Sequence, residues 1–194
     1  MLGCQTPGAR VWLSESDNPK RKYALTWELV ELESRVLVGL HTGRTNALVA
    51  EAIDRQLIPS LSQYRAVKAE IAIPGAKGRF DWLLQGDRGD CYLEVKNVTA
   101  SVEEGVALFP DAVSVRATRH ARELARLQQA GISTALVFCV QRSDVKVVRP
   151  AKKIDPDYAQ ALSEAAQAGV TIEAISCDVS VDGIIPARTL PVVL

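Results

Sequence analysis

With 194 residues, 47% of them hydrophobic, the chain can bury the core of one ordinary domain, or of a full domain with a small appendage. It has no run of ~18 apolar residues to span a membrane, and the opening MLGCQTPGAR has neither the charged nor the apolar region of a secretory signal. The 23 Lys and Arg balance 23 Asp and Glu, and Cys4, Cys91, Cys139 and Cys177 stand singly, which argues against a zinc site or disulfide framework and for a reducing cytosol.

Alternating apolar positions and Asn-Pro punctuation predict short strands at RVWLS, YALTWELVEL and RVLVGL, separated by the SDNPKRK loop. These are too few to close a sheet, so residues 1–42 read as part of a small β-barrel whose beginning is missing. TGRTNALVAEAIDRQLIPSL follows with helical spacing at Leu48, Ala52 and either Val49 or Ile53, until Pro59 stops the run. Strands are predicted at 66–73, 79–84 and 91–96, then a loop through ALFPDA, then a helix over 113–130 stopped by Gly131. STALVFCVQ is continuously apolar, as expected of a strand covered on both faces. Cys91 and Cys139 fall within such apolar stretches and read as core. The helix DPDYAQALSEAAQAG carries Asp155 as N-cap, Pro156 at its first position and Gly169 at its end, and VTIEAISCDV returns as a strand. From about residue 43 to 194 this order predicts a mixed α/β sheet with helices on its faces.

Charge is segregated although its sum is zero. Nine basic residues lie between Arg116 and Lys153, opposed there only by Glu123 and Asp144. One basic face on a neutral protein would be felt by a polyanion; two solvated surfaces of opposite sign are the alternative.

The hairpin FDWLLQGDRGDCYLEVKN carries the candidate chemistry. Pairing Leu84 with Cys91 sets Trp82 against Leu93 and Phe80 against Val95, which gives one apolar face. The same register sets Asp81 opposite Glu94, Arg79 opposite Lys96 and Leu83 opposite Tyr92 on the other. Opposed carboxylates repel unless a divalent cation or water lies between them. Oxygen ligands of this kind suit Mg²⁺ or Mn²⁺. Lys96 projects to the face of Glu94, where it could activate a metal-bound water or neutralise phosphate charge. This D…ExK set resembles the core of the PD-(D/E)xK nuclease fold, with Phe80 in place of the proline. A solvated hairpin with weak diagonal salt bridges is the alternative. Glu51, on the helix before the sheet, is a candidate for a further metal-binding carboxylate.

Arg116, Arg119, Arg122 and Arg126 share one arc of the helix over 113–130 and form a candidate phosphate-contacting stripe, with Val113, Ala117, Leu124 and Leu127 on the adjoining apolar side. His120 lies toward the apolar side and reads as packed or hydrogen-bonded rather than catalytic. Arg142, together with Gln141, ends the apolar strand and is a secondary DNA-contact candidate. Lys20, Arg21 and Lys22 in the SDNPKRK loop suit backbone phosphates. Trp12 and Trp27 read as core more readily than as base-stacking residues, and His41 stays unassigned.

In order along the chain, PGARVWLSESDNPKRKYALTWELVE, TNALVAEAI, RFDWLL, YLEVKNVT, GVALFPDAVSVRATRHARELARL, VFCVQRSDV, IDPDYAQAL and LPVVL together resemble the sugar fermentation stimulation protein A family. The resemblance implies an N-terminal OB-like barrel, a restriction-endonuclease-like domain, DNA binding without clear sequence preference, and a regulatory role in sugar (maltose) metabolism. It also implies that several dozen residues usually precede the segment that opens here, so the barrel is expected to be incomplete, with unpaired edges. The functional expectation is a cytosolic DNA-binding protein, with association with the nucleoid left open, that carries a Mg²⁺ or Mn²⁺ site at Asp81 and Glu94, served by Lys96 and assisted by Glu51. Its alternative is an active Mg²⁺-dependent nuclease, and an enzyme acting on another phosphorylated substrate is more remote. Self-association as a homodimer is left open.

Overall fold

The computed structural model describes residues 2–87 and 89–194. Arg88, within the QGDRGD turn, lies outside the described residues.

Three short strands come first: β1 (Val11–Glu15), β2 (Leu25–Glu31) and β3 (Leu37–Gly39), an antiparallel sheet in that order. Cys4, Val30, Val38 and Leu40 form its own small core, against which Trp27 packs. A 3-10 turn leads into α1 (Thr45–Asp54), which ends well before Pro59 because Gln56 takes a left-handed φ of 56°.

The main sheet has six strands: β4 (Tyr64–Ala72), β5 (Arg79–Gly86), β6 (Gly89–Val98), β8 (Ser133–Val140), β10 (Thr171–Val179) and β11 (Ile184–Leu190). Their order is β11-β10-β8-β6-β5-β4, with β6, β8 and β10 parallel and the outer pairs antiparallel. The stretch expected as a loop at ALFPDA instead holds β7 (Val106–Phe109), paired in parallel with β9 (Val147–Pro150).

Two helices, α2 (Val115–Gln129) and α3 (Pro156–Gln167), pack together against one face, and α1 packs against the other. The β8 strand shows why its sequence is apolar throughout. Leu136, Phe138 and Val140 enter the α2–α3 core, while Ala135, Val137 and Cys139 enter the core under α1. Caps follow the sequence signals: the Ser114 side chain accepts from the Ala117 N–H, and the Asp155 side chain accepts from the Tyr158 N–H. Val113 lies before the helix and is exposed, so the expected apolar contact there is absent. No described helix is long and apolar enough to cross a membrane.

Candidate functional site

The β5–β6 register is the one that the apolar alternation requires: Leu84 pairs with Cys91, Leu83 with Tyr92 and Trp82 with Leu93. The ladder stops there, and the site begins where it stops. Asp81 does not sit squarely opposite Glu94. Its Oδ2 accepts the Val95 N–H at 2.7 Å, so the side chain takes the place of a backbone partner. Its Oδ1 accepts from Asn46 Nδ2 at 3.0 Å, from the first turn of α1. The strand leaves the regular alternation at this point. Phe80 therefore joins the α2–α3 core, while Val95 stays in the core under α1, which corrects the expected Phe80–Val95 face. Arg79 pairs with Glu70 on β4 and not with Lys96 or Glu94.

Glu94 and Lys96 point into the α2–α3 face of β6, beside Leu136 and Phe138 of the neighbouring parallel strand. Glu94 is 2% exposed and Lys96 8%. Glu94 Oε1 accepts from Lys96 Nζ and from His120 Nδ1, the latter at 2.6 Å. Among the described residues Glu94 Oε2 has no hydrogen-bond partner. Burial pushes the Glu94 carboxyl up, but the His120 hydrogen bond and the Lys96 charge outweigh it and hold the group below the ordinary glutamate value. Asp81 moves the other way. Burial and then the Glu94 charge raise it, against the opposing pull of Val95, Asn46 and Lys96. The two carboxylates thus share one electrostatic field.

Other expected site residues fall in different places. Glu51 pairs with Arg55 at 3.0 Å, and Arg55 also reaches the Pro186 carbonyl. Five residues beyond Asn46, Glu51 is turned about 140° around the helix; the α1 residue brought to Asp81 is Asn46. Arg142 is corrected outright. It is 3% exposed, forks onto Asp144 at 2.6 and 2.7 Å, and donates to the Thr99 carbonyl, so it ties the core together and offers nothing to a phosphate. Arg116, Arg119 and Arg122 are exposed along α2 as the spacing predicts, while Arg126 is drawn to Glu123 and the Pro74 carbonyl. Lys20, Arg21 and Lys22 stand exposed in their loop, with Arg21 donating to Thr26.

Asn46 and His120 are the contributors that the sequence did not assign to the site. Only the apolar-side placement of His120 hinted at a role. Among the described residues no three His, Cys, Asp or Glu side chains gather closely enough to hold a metal alone. Two carboxylates, one with an unpartnered buried oxygen, nevertheless fit a hard cation that takes its remaining ligands from water or phosphate.

A mixed sheet with helices on both faces and a D…ExK set at a splayed hairpin defines a restriction-endonuclease-like α/β protein. Family comparison narrows the class. The model described as "Sugar fermentation stimulation protein RE domain" matches residues 43–183, and that described as "SfsA N-terminal OB domain" matches residues 1–40. The chain belongs to the sugar fermentation stimulation protein A family, and its first 40 residues match the OB domain of that family, as the barrel reading of this segment expected. A homologue from Halorhodospira halophila is 57% identical over 195 residues, covering 99% of this chain and 81% of that protein. One from Pseudomonas paraeruginosa is 44% identical, covering 99% and 82%. The structure of Pyrococcus furiosus SfsA in complex with Ca²⁺ superposes with a TM-score of 0.89 at 28% identity, covering 98% of this chain and 80% of that one.

Proposed function

We infer that this protein binds DNA without base-specific readout and carries a nuclease-like divalent-cation site at Asp81, Glu94 and Lys96. The observation that carries the reading is Glu94, a carboxylate withdrawn from water with one oxygen doubly held and the other without a partner among the described residues, next to a second carboxylate. Mg²⁺ or Mn²⁺ is the expected ion; Ca²⁺, present in the P. furiosus complex, shares their preference for oxygen. Asp81 and Glu94 Oε2 would hold it. When bound, the ion would supply Lewis-acid stabilisation of phosphate charge. Lys96, on leaving Glu94, would contact a phosphate oxygen or orient the attacking water. Arg116, Arg119 and Arg122 line the exposed side of the helix whose buried side carries His120 to Glu94, so phosphates held there would run close to the site. Lys20, Arg21 and Lys22 would add backbone contacts. A regulatory role in sugar (maltose) metabolism belongs to the same reading, exerted through the DNA that the protein contacts.

The completeness of the Asp–Glu–Lys set favours a second reading, in which the protein also cuts DNA. Cleavage of supercoiled and single-stranded DNA with Mg²⁺ or Mn²⁺ separates the two, measured for the native chain, Glu94→Ala and Lys96→Ala. Metal-dependent cutting lost in both variants makes the hairpin an active site. Binding without cutting, with affinity falling steeply as salt rises, leaves a binder with a cation site. If the folded chain does not bind DNA at all, both readings fail.

A further inference from the structure

We propose that His120 is a positioning residue of this site: it holds Glu94 Oε1 so that Oε2 alone meets the cation and Lys96 is free to leave the carboxylate. The proposal rests on the cation-site reading above. His120 is 1% exposed in the middle of α2, with its ring set edge-on to Phe80 at 5.7 Å and 80°. That packing fixes the plane of the imidazole, and the plane aims Nδ1 at Glu94 Oε1. A carboxylate only accepts, so Nδ1 carries the hydrogen of this bond.

Glu94 Oε1 has two donors and Oε2 has none among the described residues. A lysine that serves phosphate or water has to break its bond to Glu94. Without a second donor, that movement would strand Oε1 in a buried site and leave the carboxylate free to rotate. With His120 in place, Oε1 stays satisfied and Glu94 is a single-oxygen ligand throughout. A carboxylate fixed in this way also raises ligand order before the cation arrives, as hydrogen-bonding partners behind metal ligands generally do.

The test is Mn²⁺ affinity of the full chain by isothermal titration calorimetry, for the native protein, His120→Asn, His120→Gln and His120→Leu, each first checked for folding by circular dichroism. Asparagine places an amide N–H on the same carbon that carries Nδ1; glutamine moves it one carbon further; leucine fills the space without a donor. The expected result is a Kd within about threefold of native for H120N, and one about 10–100-fold weaker for H120Q and H120L. If H120L fails to fold, the contrast between H120N and H120Q decides, because both are polar and of similar bulk. Native affinity in H120Q and H120L, or equal loss in H120N, overturns the role of His120 while leaving the cation site standing. A native chain that takes no Mn²⁺ overturns the cation-site reading and this proposal with it.

Discussion

Asp81 and Glu94 are displaced in opposite directions, because at Asp81 burial and then the Glu94 charge outweigh the bonds from Val95 and Asn46, whereas at Glu94 His120 and Lys96 outweigh burial. The consequences for stability differ in sign. The Glu94 pKa is depressed on folding, so its contribution is present above the unfolded value and is lost as pH falls through the folded one. The Asp81 pKa is raised, so the carboxyl is harmless at low pH and opposes folding as pH rises through its folded value. Glu94→Gln should therefore do two things. It should lower the Asp81 pKa, read from its carboxyl carbon by NMR titration, because it removes the negative neighbour that adds to the effect of burial. It should also destabilise the protein by about 3–5 kcal/mol in urea unfolding at neutral pH, because the buried Lys96 loses its counter-charge. An Asp81 titration indifferent to the substitution would show that the two carboxylates do not share a site.

At the scale of elements, α2 divides its arginines from its core with little ambiguity, and β8 divides its residues between two cores. Arg119→Ala should weaken DNA binding and reduce the steepness of the salt dependence by about one unit, leaving stability nearly unchanged. Arg142→Ala should do the reverse. Loss of its fork to Asp144 and its bond to the Thr99 carbonyl should cost about 2–3 kcal/mol in denaturant unfolding, with the salt dependence of DNA binding unaltered. Equal salt slopes for the two variants would remove α2 from the DNA interface. The pair also marks what the sequence can reveal. Periodicity over a long helix exposes one face and buries the other, so Arg116, Arg119 and Arg122 were legible. A strand end carries no such signal, and Arg142 was misplaced although Asp144, two residues on, was its partner. Alternation fixed the hairpin register from Trp82 to Leu84, where each side chain has one face available. It failed at Asp81, whose carboxylate replaces a ladder bond and shifts Phe80 to the other core. Asn46 and His120 join the site by tertiary contact alone; no spacing along the chain encodes either contact.

The whole molecule depends on how the three-stranded sheet meets the larger domain. The Gly39 N–H donates to the Gln141 carbonyl at 2.8 Å. A Cβ at Gly39 would stand 2.6 Å from Gln141 Oε1, and that amide cannot swing freely because its nitrogen is bound to Thr45 and Asn97. Beside this seam Glu28 of β2 receives Arg44 in a two-point pair at 2.7 and 2.9 Å, together with Ser14 and His41. The Arg44 hydrogen bonds, with lesser help from Ser14, bring the Glu28 pKa down from 4.5 to about 2. The shift is a depression, so the stabilisation is fully present above the unfolded value and drains away as pH falls from about 4.5 toward 2. Urea midpoints of native protein and Glu28→Gln should differ at neutral pH and converge across that window, since protonation makes the native side chain as neutral as glutamine. Gly39→Ala, which crowds the seam without touching a charge, should lower the midpoint by an amount equivalent to about 1–3 kcal/mol at every pH. A Glu28→Gln difference that does not change with pH would show that the Arg44 pair adds nothing to docking, and the seam would then rest on the close approach of Gly39 to Gln141.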